Sequence, residues 1–108
     1  MEHFFFIQSR EPLTDNRATA DYELINNLAA AGNQVTVMLV QNGVIPARRG
    51  SIIKSFDKLC DGKAWILADP FSLAQRQIAN DELKAGIESS ALDRAVKAML
   101  AGHKVIWH

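Results

Sequence analysis

Four short apolar runs, at residues 3–8, 34–40, 64–68 and 104–107, alternate with longer segments whose apolar residues recur at helical spacing, and that alternation restricts the chain to few architectures. The runs are rich in Phe, Val, Ile and Trp, so each reads as a strand, the first covered on both faces and the second buried. After the first run, Ala18, Tyr22, Ile25, Leu28 and Ala29 predict a helix over 17–31 that stops at Gly32. Ile52, Ile53, Phe56, Leu59 and Cys60 predict a second helix over 51–60, ended by Gly62. A short helix is expected over 72–78. Leu92, Ala95, Val96, Met99 and Leu100 give the last helix one apolar stripe, with Ser90 and Asp93 spaced as a capping box and Gly102 at its end. Residues 79–88 carry little pattern beyond a short strand around Ile87. Strands joined by helical crossovers predict an α/β fold: one three-layer domain over 1–108 with a mainly parallel sheet of four or five strands.

Composition narrows the function classes. Twelve Lys plus Arg balance twelve Asp plus Glu, so the chain offers no global attraction to nucleic acid or to an anionic membrane. Near-neutrality and the Phe4–Phe6 aromatic segment favour self-association instead. No apolar run approaches the ~20 residues that cross a bilayer. The start, Met1-Glu2-His3, has no basic leader, and the single cysteine excludes a disulfide framework within the chain; a cytoplasmic protein without membrane contact is expected.

In an open parallel sheet, ligands bind beyond the carboxyl ends of the strands, where loops and helix N-termini converge. That rule places Ser9 and Arg10, Gln41 and Asn42, Asp69 and Ser72, and His108 at one edge, with Arg76 one turn into the helix after Ser72. Arg10, Gln41, Asn42, Asp69, Ser72, Arg76 and His108 are therefore the candidate ligand-binding residues. Beside this stands a plainer reading, in which Asn42-Gly43 is a turn, Ser72 an N-cap, Asp69 a solvated carboxylate and Arg76 a surface charge.

Other chemistries meet obstacles in the residues themselves. Cys60, a candidate nucleophile, shares its stripe with Ile52, Ile53 and Phe56 and lies at the C-terminal end of its helix, where the dipole disfavours a thiolate. His3 and His103 precede strands while His108 follows one, about 15 Å away at strand rise, so they cannot share a metal ion and none is expected. Arg48, Arg49, Lys54 and Lys58 are interspersed with Asp57 and lack aromatic neighbours for base stacking, which favours a solvated face. A phosphoacceptor receiver domain needs an acidic pair after the first strand, where Ser9-Arg10 stands, and no G-x-G-x-x-G follows any strand. No cofactor is expected.

Gln41-Asn42-Gly43-Val44, the segment Ala68-Asp69-Pro70-Phe71-Ser72-Leu73 with Arg76 and Ile78, and the ending Lys104-Val105-Ile106-Trp107-His108 resemble, in order and spacing, the DsrE/DsrF/DsrH sulfur-relay family. The resemblance spans nearly the whole chain. It implies a Rossmann-like, flavodoxin-like domain that assembles as a homotrimer or homohexamer and works beside other sulfur-relay proteins. It also implies that catalytic members carry an acceptor cysteine at the end of the third strand, where a helix N-terminus would stabilise a persulfide anion. Here Asp69 takes that position, and Gln77 stands where the family often has glycine. A carboxylate cannot carry sulfane sulfur, so the resemblance implies a member without the usual active cysteine, serving assembly or ligand recognition. Two alternatives remain at this point: an enzyme in which Asp69 is the general base and Arg10 or Arg76 binds an anionic substrate, and sulfur transfer through Cys60 after a partner rearranges its helix.

Overall fold

The computed structural model describes residues 1–108. Five strands, β1 (His3–Gln8), β2 (Gln34–Leu39), β3 (Trp65–Ala68), β4 (Glu88–Ser89) and β5 (Lys104–Trp107), form one sheet in the order β4-β3-β2-β1-β5. Every neighbouring pair is parallel. Four α-helices, α1 (Arg17–Ala30), α2 (Lys54–Cys60), α3 (Pro70–Gln75) and α4 (Asp93–Leu100), supply the outer layers. The expected three-layer α/β architecture is thus the observed one, with the two-residue β4 as fifth strand.

Register explains why the runs look uniformly apolar. Phe6, Val37 and Ile66 lie side by side, as do Ile7, Met38 and Leu67. Side chains alternate along a strand, so the first trio faces one layer and the second the other, and both are buried. The first face carries the larger core, where Tyr22 and Ile25 of α1, Phe56 and Leu59 of α2 and Leu73 of α3 pack. Burying side chains of this size contributes roughly 1.5–3 kcal/mol each. The second face is covered only by α4, through Ala95 and Ala98.

Several expectations need correction. The second helix starts at Lys54, not Ser51, because the chain stays extended through Ile53; Ile52 is 88% exposed and belongs to no stripe. The 41–43 turn is the start of a 3-10 helix over Gln41–Ala47. The short helix begins at Pro70, with Asp69 and not Ser72 as its N-cap: the Asp69 carboxylate accepts the Ser72 N–H, and Pro70 fits the first helical position, which needs no donor. The Ser90–Asp93 capping box does not form; Leu92 precedes α4 without any side-chain cap. Of the apolar stripe expected for α4 only Ala95 faces the sheet: Val96, Met99 and Leu100 are 55%, 55% and 83% exposed, and Leu92 is also exposed. No helix is long and apolar enough to cross a membrane.

Candidate functional site

The strand ends carry two separate polar assemblies. The first joins β2 and β3. Past the end of β2, Gln41 adopts a left-handed backbone (φ 52°), a conformation that costs a non-glycine residue roughly 1–2 kcal/mol. Its N–H donates to Ser72 Oγ at 2.8 Å, and that hydroxyl donates to Asp69 Oδ2 at 2.8 Å. The Ser72 N–H reaches the same carboxylate oxygen at 3.0 Å. Asp69 is anchored through its own N–H to the carbonyl of Leu39. Asp69 Oδ1 has no hydrogen-bond partner within the chain. Arg76 closes the assembly from behind, donating to Asn42 Oδ1 at 3.0 and 3.3 Å and to the Ser72 carbonyl at 3.2 Å.

Gly43 permits this arrangement. A Cβ there would lie 2.1 Å from the carbonyl oxygen of Gln8, so only glycine lets the loop after β2 lie against the end of β1. In front of the assembly is a cavity of about 340 Å³ with a polar floor of Gln41, Asp69 and Ser72 and apolar walls from Phe71, Leu92 and Trp107. Such a volume is at the small end of the range for small-molecule sites.

The second assembly joins β1, α1 and β5. Buried Asp21 receives Arg10 in a two-point contact, Nε to Oδ2 at 2.8 Å and Nη2 to Oδ1 at 2.7 Å. The amide of fully buried Gln8 donates to Asp21 Oδ2 at 3.0 Å, and its Oε1 lies 3.2 Å from His108 Nδ1. Ser9 fastens the same edge, its N–H and hydroxyl both reaching the His108 carbonyl. Burial pushes the Asp21 carboxyl up, but the bonds from Arg10 and Gln8 outweigh it and hold the group below its ordinary range. Burial likewise lowers His108, against the pull of Asp21.

Among the candidate residues, Gln41, Asp69 and Ser72 share the cavity, and Asn42 and Arg76 brace it. Arg10 and His108 stand at the same sheet edge but turn to Asp21 and line no part of the cavity. Sequence reasoning missed Asp21 and Gln8, although Asp21 sits between Ala18 and Ile25 on the inward side of α1, where a carboxylate signals a buried partner. It also missed Phe71, Leu92 and Trp107 as walls. Cys60 is half-buried at the end of α2, which leads into the amino end of β3, the opposite sheet edge from Asp69. Burial and the nearby Asp57 and Asp61 carboxylates push its thiol up to about 11, with only Lys84 opposing, so it is protonated at neutral pH.

A sequence profile of the DsrE/DsrF-like family matches residues 2–108. No curated protein matches the sequence. Solved structures share the fold, among them two from E. coli and Methanobacterium thermoautotrophicum. The ychN protein of E. coli is 15% identical with a TM-score of 0.86, covering 100% of each chain. A protein of unknown function, MTH1491 from Methanobacterium thermoautotrophicum, is 20% identical with a TM-score of 0.79, covering 99% of this chain and 98% of its own.

Proposed function

Since this chain belongs to the DsrE/DsrF-like family, we propose that it is a sulfur-relay-related binding and assembly component that does not pass sulfur through its own cysteine. The observation that carries this reading is Asp69. At the strand end where the resemblance places an acceptor thiol, a carboxylate caps α3 and organises Gln41 and Ser72 around a cavity. The only thiol lies at the other edge of the sheet, held in its protonated, weakly nucleophilic form. General-base catalysis by Asp69 is the weaker reading, because one carboxylate oxygen is committed to two donors from Ser72 and Arg10 is committed to Asp21.

Mass spectrometry tests this directly. After incubation with a persulfide donor, the protein is expected to keep its mass; a stable gain of about 32 Da, one sulfur atom, that disappears in Cys60→Ser would overturn the reading.

Assembly is the second part of the proposal. The outward stripe of α4, Val96, Met99 and Leu100, continues through Leu92 to the Phe71 and Trp107 walls of the cavity, an apolar surface better suited to a neighbouring copy than to water. Light scattering at micromolar concentration is expected to show trimers or hexamers, and Val96→Asp with Met99→Asp is expected to yield monomers. A monodisperse monomer in the unmodified protein would remove this part.

A further inference from the structure

A second cavity, sharing no lining residue with the one at Asp69, lies on the α3 side of the molecule. It is a groove of about 580 Å³ lined by Arg48 and Arg76, with Ser51 beside them and Leu13, Ile45 and Ile78 as its apolar surface. No acidic residue lines it. Neither guanidinium forms an ion pair: Arg48 donates once, to the carbonyl of Gln77 at 3.4 Å, and Arg76 donates only to the neutral oxygens of Asn42 and Ser72. A guanidinium has five N–H donors, so both retain uncommitted ones. Gln77, between Arg76 and Ile78, holds a left-handed backbone (φ 55°), and its carbonyl is the one that receives Arg48. Two cations without an ion-pair partner on one groove, with no carboxylate among its lining residues, give that groove a local positive potential that suits an anion.

We propose that this groove binds a small phosphate monoester, its dianionic head between Arg48 and Arg76 and its organic body against Leu13, Ile45 and Ile78. Two guanidiniums match the two charges and the several oxygens of such a head, which a single carboxylate would leave half-satisfied. Leu13, 74% exposed, gains cover when the body lies on it. The groove volume falls in the range of small-ligand sites.

The test is a titration of the full-length, isotope-labelled protein with phenyl phosphate and with inorganic phosphate, followed by backbone amide shifts. Saturable shifts at Gly50, Ser51 and Ile78 are expected, with phenyl phosphate at least about 5-fold tighter than phosphate because of its apolar body. Arg48→Gln, which removes a side chain bonded only to the Gln77 carbonyl, is expected to weaken binding at least about 10-fold. Arg49→Gln, exposed and outside the groove, is expected to leave it unchanged. An absence of saturation, equal affinity for the two phosphates, or equal effects of the two substitutions would each overturn the proposal. An unchanged amide spectrum of the free Arg48→Gln protein shows that its fold is intact, so a loss of affinity then reports on the site.

Discussion

Gly43→Ala is expected to destabilise the protein by about 2–3 kcal/mol, the cost of forcing one extra carbon into a closed backbone contact. For a chain of this size that corresponds to a fall in Tm of roughly 8–20 °C. The obstacle is the Gln8 carbonyl, 2.1 Å from the new Cβ, and that oxygen already accepts the Val40 N–H at 3.0 Å. Relief therefore requires either parting the ends of β1 and β2 or lifting the loop, and lifting the loop draws the Gln41 N–H away from Ser72. Thermal unfolding measures the first effect. Loss of the Gln41 amide's hydrogen-exchange protection measures the second. A Tm change under about 2 °C would show that the loop yields without cost.

Asp21→Ala is expected to be at least as damaging, at about 3–4 kcal/mol by urea unfolding, because it strands the Arg10 charge and the buried Gln8 amide. The same cluster sets the acid response. His108 has a folded pKa below its ordinary 6.5, so the unfolded chain binds the proton more readily and stability falls as pH drops through and below that value. Asp21 is also lowered, from 3.8, so its contribution is present above that pH and is lost as acidification reaches its folded value. Unfolding free energy measured against pH should decline in two stages on the acid side. In Asp21→Ala the lower stage should shrink. A curve that rises between pH 7 and 5 would contradict the assignment of His108.

β1, β2 and β3 were legible as apolar runs that are largely buried on both sides, and β5, at the sheet edge with Trp107 60% exposed, was legible by its apolar run alone. Ile52 misled because periodicity is blind to backbone: the residue fits the stripe by spacing, yet the chain is still extended there. α4 misled for a different reason. A stripe that faces out and a stripe that faces in have the same spacing, and only the packing of Ala95 and Ala98 beneath the helix decides between them. β4, expected around Ile87, forms over Glu88–Ser89 and, at two residues, is held by its pairing with β3. At the site, the strand-end rule found Gln41, Asn42, Asp69, Ser72 and Arg76, which local hydrogen bonds do bring together. Arg10 and His108 obey the same rule, but side chains alternate along the strand: Trp107 of β5 turns to the cavity, while His108 turns to the Phe6 face of the sheet, where Asp21 of α1 holds both it and Arg10.

The pairing of β1 with β5 joins Phe4 to Lys104 and Ile7 to Trp107, across nearly the full length of the chain. β4, β3, β2 and β1 can dock as neighbours in sequence, whereas β5 must close a loop of about a hundred residues, the entropically costliest contact in the sheet. Until it arrives, the Phe4-Phe5-Phe6 edge presents bare backbone donors and acceptors flanked by aromatic rings, a template for any passing strand. Slow delivery of the final strand is therefore expected to favour aggregation over productive folding, which light scattering during refolding would report.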